Sequence, residues 1–132
     1  MPIDYHIDGE RRLVIATGRG TVTHEDLWNY QRAVWSNPEV AGFNELADMR
    51  AVRQFGPASP EQMSELASFA ARMEAGAAAT KFAIVASHDV AYGLGRMFQA
   101  YRGLQSQGRK QVGVFRTMEE ALQWLGVEQL NP

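Results

Sequence analysis

Residues 82–86 read Phe82-Ala83-Ile84-Val85-Ala86, a run that is apolar at every position. A strand with one face in water alternates apolar and polar residues, whereas a strand covered on both faces is apolar throughout. Ser87 or Asp89 can cap a helix directly after the run. The stretch therefore predicts a central strand of a sheet with helices on both faces, as in α/β domains.

Strands and helices alternate on either side of this run. Ile3 to Asp8 alternates and meets the turn signal Asp8-Gly9, which predicts a hairpin with a second strand, Leu13 to Thr17, before a flexible Gly-Arg-Gly at 18–20. The other predicted strands are Phe43–Arg50 and Val112–Phe115. The first predicted helix covers about 24–36, and the second runs from Pro60 to a stop at Gly76. The third follows the 87–89 cap, with Gly108 in the connection after it, and the fourth follows the capping box Thr117–Glu120 and ends at Gly126. The order β-β-α-β-α-β-α-β-α predicts one α/β domain over residues 1–132, with a mixed five-stranded sheet flanked by four helices.

Two predicted helices have faces that bear on function. The apolar arc of the first helix has Gln31 in its middle and consists of Leu27, Trp28, Tyr30, Val34 and Trp35. Burial against the sheet explains this arc most simply, but a wide aromatic arc can also line an apolar pocket or contact a partner. Trp28, Gln31 and Trp35 are therefore candidate binding residues.

The third helix is expected to bury one apolar face, formed by Val90, Leu94, Met97, Tyr101 and Leu104. Its opposite face then carries Tyr92, Arg96, Gln99 and Gly103. A tyrosine beside an arginine is common in contact surfaces, so Tyr92 and Arg96 are candidates for a partner contact or a homodimer, against the alternative of an ordinary solvated face.

Composition argues against several classes of function. The 132-residue chain has a net charge of −2 and no basic block, so the footprint of nucleic-acid binding is missing. It has no cysteine, which excludes thiolate catalysis and thiolate metal sites. No apolar run is long enough to cross a bilayer, and the N-terminal MPIDYHIDGERR lacks the apolar core of a signal peptide. We therefore expect a cytoplasmic protein.

The carboxyl ends of the parallel strands are the expected place for a site in such a sheet. Asp48 and Arg50 close one strand, and Ser87 and His88 follow another, so these four are candidate ligand- or partner-binding residues. The Ser-His-Asp run at 87–89 does not predict a hydrolytic triad, because neighbouring side chains diverge. The three histidines lack metal-site spacing, and no glycine-rich phosphate motif is complete. We predict no catalytic residue, no metal and no cofactor.

The order of several short stretches resembles the SpoIIAA-like branch of the STAS-like fold, small bacterial domains related in shape to anti-sigma-factor antagonists. These stretches are Gly20–Thr23 with Glu25–Leu27, Asn44–Arg50, Phe82–Ala86 and Val114–Leu125. The resemblance implies a five-stranded sheet with four helices and no catalysis. It also makes an apolar ligand or a membrane surface a candidate partner, because some SpoIIAA-like members are thought to associate with lipid.

Antagonists of this fold are switched by phosphorylation of a serine in a short turn after a strand. Here residues 49–52 follow Asp48 without a hydroxyl or a glycine, and Ser59 comes after a longer loop. Because Ser59 directly precedes Pro60, a helix N-cap explains it better, with phosphorylation as the alternative.

These observations favour a non-enzymatic binding or regulatory domain that contacts a protein partner or a small apolar, lipid-like ligand, with peripheral membrane association as a variant. The first alternative is a small enzyme that uses His88, Asp48 and Arg50 for acid–base chemistry. The second is a homodimer that packs through Tyr92 and Arg96.

Overall fold

The computed structural model describes residues 2–56, 59–74, 76–105 and 108–128. Its elements in chain order are β1 (Ile3–Asp8), β2 (Leu13–Val22), α1 (His24–Trp35), a 3-10 turn (Pro38–Val40), β3 (Asn44–Phe55), α2 (Pro60–Met73), β4 (Thr80–Val85), α3 (Asp89–Gly103), β5 (Lys110–Phe115) and α4 (Met118–Leu125). The predicted order of strands and α-helices is confirmed.

The strands form one sheet in the order β1-β2-β3-β4-β5. β1 is antiparallel to β2, and every other neighbouring pair is parallel, so the predicted mixed sheet with an antiparallel edge is confirmed. The helices α1, α2 and α3 cover one face, and α4 covers the other. The apolar run at 82–86 lies in and just after β4, between β3 and β5 and under both layers.

Two parallel strands are longer than their local sequence predicts. β2 continues through Gly18 and Gly20 to Val22, so the expected flexible connection is wrong, and β3 extends to Phe55 rather than Arg50. Each strand supplies the backbone hydrogen-bond partners that prolong the other. A side chain at residue 18 would place its Cβ 2.7 Å from the sulfur of Met49, so glycine allows the close approach.

The predicted buried face of α3 is wrong by one position along the helix. Val90 and Leu104 are 71% and 79% exposed, and the buried residues are Ala91, Gly95, Phe98 and Arg102. Gly95 decides this rotation, because a Cβ there would lie 3.0 Å from Val114, and its absence brings α3 close to the sheet.

Polar groups on α3 also differ from expectation. Arg102 is buried because its guanidinium pairs with the carboxylate of Glu74, and Gln99, expected on the solvent face, donates a hydrogen bond to the carbonyl of Val112. The N-cap of α3 is His88, which makes no capping hydrogen bond, so the expected cap by Ser87 or Asp89 is wrong.

The other helix ends follow local sequence closely. Ser59 caps α2 reciprocally with Gln62, which confirms the capping prediction. Thr23 does the same for α1, and the hydroxyl of Thr117 accepts from the backbone N–H of Glu120 at the start of α4.

Candidate functional site

A cavity of about 90 Å³ lies between the helices α1, α2 and α3 and the sheet face that they cover. The helix α2 packs mainly on α3 and α1 rather than on the sheet, which leaves room beneath it. One water molecule needs only about 10–15 Å³, so the space suits a small organic group. The lining is largely apolar and includes Leu27, Met49, Met63, Leu66, Ile84 and Phe98.

The strand β3 forms the floor of this cavity. Glu45, Ala47 and Met49 all line it, because alternate residues of a strand point to the same face. The floor therefore runs from an apolar end at Met49 to a carboxylate at Glu45.

The carboxylate of Glu45 is buried and has three donors. Its Oε2 accepts from the hydroxyl of Tyr30 at 2.7 Å and from the indole N–H of Trp35 at 3.2 Å, and its Oε1 accepts from the ammonium of Lys110 at 2.7 Å. That ammonium also lies over the Trp35 ring, at 3.0 Å from its centroid. This end of the cavity is thus polar, and the charge of Glu45 is balanced by a paired cation.

Two pKa shifts accompany this cluster. Burial and the negative charge of Glu45 together raise the pKa of Tyr30 well above its ordinary value of 10.0, so its hydroxyl stays a donor at neutral pH. Burial lowers the pKa of Lys110 and outweighs the opposing effect of the Glu45 carboxylate.

Gln31 is the second polar side chain on the cavity wall. It is 7% exposed, and its Nε2 donates to the sulfur of Met73 at 3.6 Å, a weak contact. Its amide oxygen accepts no hydrogen bond from any of the residues that the structure describes. The amide therefore keeps hydrogen-bonding capacity beside the cavity.

The two tryptophans predicted with Gln31 support the cavity rather than line it. The ring of Trp28 stacks on Phe69, with centroids 4.2 Å apart and planes within 6°. Trp35 holds the carboxylate of Glu45, as described above. Of the three candidates on α1, Gln31 is in direct contact with the cavity.

The polar candidates form two separate groups. The first, Asp48 with Arg50, lies inside β3 and not at its end as expected, because β3 continues to Phe55. In the first, the guanidinium and backbone N–H of Arg50 donate to the carboxylate of Asp48 at 2.9 to 3.1 Å. Partial burial would raise the pKa of Asp48, but its hydrogen bonds to Arg50 outweigh burial and lower it.

The second group lies at the start of α3. Arg116 donates to Asp89 at 2.8 Å and to the carbonyl of Ser87 at 3.3 Å, and its guanidinium lies 3.9 Å from the centre of the Tyr92 ring. His88 is exposed, and its ring has no hydrogen-bond partner within residues 2–56, 59–74, 76–105 and 108–128. Arg96 is exposed on the next turn of α3. Neither Asp48 nor Arg50 hydrogen-bonds to His88.

The fold is similar to that of a solved protein structure. A solved structure of an uncharacterized DUF3478-family protein from Shewanella loihica PV-4, whose fold is SpoIIAA-like, matches this chain with a TM-score of 0.59 over 93% of both chains, at 16% identity. The fold of this chain is SpoIIAA-like. The resemblance predicted from the sequence is thereby confirmed for the fold. No protein-family model matches the sequence, and a search of curated proteins finds no match.

Within this SpoIIAA-like fold, sequence reasoning missed Glu45 and Lys110. Both lie on strands, at positions whose neighbours on the same face, such as Ala47 and Val112, are buried apolar residues. A charged residue on an apolar strand face signals a buried partner, because an unpaired charge there would be too costly. That signal was present, but it does not name the partner.

Two further properties concern the described part of the chain. Its His, Asp and Glu residues include no group of three placed to hold a metal ion. Its helices include none with the length and apolarity needed to cross a membrane.

Proposed function

We propose that this domain is a non-enzymatic binding protein that holds a small apolar molecule, or the apolar end of a lipid-like one, in the cavity beneath α2. The main support for this proposal is the apolar cavity between the helices and the sheet. The cavity is half open to solvent and its lining is largely apolar. A ligand that enters it therefore removes apolar surface from water, which is favourable.

The fold supports the proposal by analogy, because SpoIIAA-like domains generally act through binding and regulation. The separation of the polar candidates also favours binding over catalysis, since Asp48 is engaged by Arg50 and neither hydrogen-bonds to His88. Three other expectations from the sequence stay predictions. They are an acid–base enzyme built on those three residues, a cytoplasmic location and peripheral membrane association.

Toluene is a suitable probe, because it is small and the lining of the cavity is largely apolar. Burying roughly 150 Å² of aromatic surface at about 25 cal/mol per Å² gives about 4 kcal/mol, and the entropy lost on binding reduces this gain, so we expect a Kd of about 1 mM or weaker. A titration followed by amide shifts in nitrogen-15 correlated NMR spectra should locate the affected residues on α1, α2, α3 and β3.

A cavity-filling variant gives the test its control. Ala91 lines the cavity, so Ala91→Leu should occupy it and abolish toluene binding, whereas Ala33→Leu, at an exposed position of α1, should bind like the wild type. Toluene binding that Ala91→Leu does not change, or no binding to the wild type, would refute the proposal.

A second candidate function is self-association through α3. An exposed apolar ridge along and just after α3 consists of Val90, Met97 and Leu104, which recur every seven residues as in one position of a coiled-coil heptad. Leu94 and Tyr101 lie between them in sequence but pack partly on the core. A second copy of the same helix is a natural partner for such a ridge, because a two-fold dimer pairs a surface with itself.

The homodimer expected near Tyr92 and Arg96 would then centre on this neighbouring ridge. Light scattering across a range of concentrations should show a dimer that Leu104→Glu reduces to a monomer, while Glu119→Gln on α4 leaves the mass unchanged. A monomeric wild type at every concentration would exclude this candidate.

A further inference from the structure

Gln31 lies at the middle of the apolar arc of α1 and reaches the cavity that we propose as a ligand site. It is more than nine-tenths buried, and its one hydrogen bond within the described residues is the weak contact from Nε2 to the sulfur of Met73. Its amide oxygen has no hydrogen-bond partner within the described residues, and it is not one of the polar atoms sealed from solvent there, so a bound molecule can take the place of water at this oxygen.

The other polar groups at the cavity are already satisfied. The carboxylate of Glu45 has three donors, and the hydroxyl of Tyr30 donates to that carboxylate and accepts from the indole N–H of Trp35 at 3.3 Å. A ligand that recruited these groups would have to break existing bonds. The amide oxygen of Gln31 can accept a hydrogen bond from a ligand without the loss of a bond within the protein.

We infer that the ligand is a neutral apolar molecule with a hydroxyl group, and that this hydroxyl donates to the amide oxygen of Gln31. The inference rests on the proposed function and adds the chemical class of the ligand. A hydroxyl both donates and accepts, so it can pair with a side-chain amide in either orientation of that amide.

Charge excludes the obvious alternatives. A ligand carboxylate would face the carboxylate of Glu45, and the nearest buried cation, Lys110, is already bound to Glu45. A ligand ammonium would find Glu45 neutralised by the same pair. Because a buried charge needs a partner that this cavity does not have available, the polar group of the ligand is uncharged.

Phenol and toluene test the inference, because the two molecules have nearly the same size and differ in one hydroxyl. The measured quantity is the ratio of their affinities, determined by NMR titration for the wild type and for Gln31→Met, which keeps the length and shape of the side chain. Gln123→Met, an exposed position on α4, controls for the substitution itself.

In the wild type and in Gln123→Met we expect the phenol-to-toluene affinity ratio to be roughly five to tenfold higher than in Gln31→Met, the usual effect of one hydrogen bond. Toluene affinity should change little in Gln31→Met. The side-chain amide signals of Gln31, assigned by their loss in Gln31→Met, should shift with phenol much more than with toluene.

An affinity ratio that is the same in the wild type and Gln31→Met, with both probes bound, would overturn this inference and leave the proposed function standing. Amide signals of Gln31 that shift equally with both probes would also overturn it. Failure of both probes to bind the wild type would refute the proposed function and this inference together.

Discussion

Replacement of Lys110 by methionine tests whether the Glu45 cluster is a true buried ion pair. The side chains of Lys110 and Glu45 are 4% and 2% exposed. Methionine keeps most of the aliphatic stem, so the substitution mainly removes the ammonium and leaves a buried carboxylate with the donors Tyr30 and Trp35. Loss of one partner from a buried pair costs about 3–5 kcal/mol, and the two remaining donors place the expected loss near the lower limit, about 3 kcal/mol.

Urea denaturation followed by tryptophan fluorescence and by circular dichroism measures this loss. With a typical slope of about 2 kcal/mol per M, the midpoint should fall by about 1.5 M. Such a loss is large, because small domains are stable by only about 5–15 kcal/mol in total.

Two comparison variants separate the ion pair from general damage. The double variant Glu45→Gln/Lys110→Met removes both charges, so it should cost much less than the sum of the two single variants. Arg50→Met breaks the exposed pair with Asp48 and should cost less than about 1 kcal/mol. If Lys110→Met costs no more than Arg50→Met, or if the two single effects simply add, the reasoning is wrong.

Three further predictions concern packing, capping and pH. Gly113→Ala would place a Cβ 2.8 Å from the ring of Phe115, so we expect a loss of about 1–3 kcal/mol in urea denaturation, and a neutral result would contradict this contact. Ser59→Ala removes the cap of α2 and should cost about 0.5–2 kcal/mol in the same assay, whereas Ser59→Asp should retain most of the stability. Because burial lowers the pKa of Lys110 below 10.5, the unfolded chain binds that proton more strongly, and the free energy of unfolding should rise with pH towards 10.5. The raised pKa of Tyr30 acts in the opposite direction above pH 10.0, where the unfolded chain loses its proton first. Lys110→Met should abolish the rise but not the fall, as measured by urea denaturation between pH 8 and 11 at roughly constant ionic strength.

The features that sequence predicted well depend on neighbouring residues. The caps at Thr23, Ser59 and Thr117 use a side chain and a backbone group three residues apart, so the sequence names both partners. The left-handed end of α4 at Gly126 is equally local, with φ of 78°. The apolar run that forms β4 implied cover on both faces, and the alternation around it implied parallel pairing. These signals were sufficient for the SpoIIAA-like fold.

Strand length and helix rotation required the rest of the molecule. Gly18 and Gly20 have no strand preference of their own, yet pairing with β3 carries β2 through both. On α3 three of the five residues of the predicted apolar stripe lie toward water, because Gly95 permits the closest approach to Val114 and Arg102 finds a buried carboxylate in Glu74. Hydrophobicity ranks both residues as poor core positions, and only their partners show otherwise.

By itself, the sequence determined the order of the elements, the starts of α1, α2 and α4, and the apolar arc around Gln31, because each depends on contacts within a few residues. Tertiary structure decided the candidate site. Glu45 and Lys110 are 65 positions apart and meet because β3 and β5 lie on either side of β4. The cavity beneath α2 exists because α2 packs on α1 and α3 more than on the sheet. Its lining comes from elements that are distant in sequence, so no single stretch of the sequence predicts it.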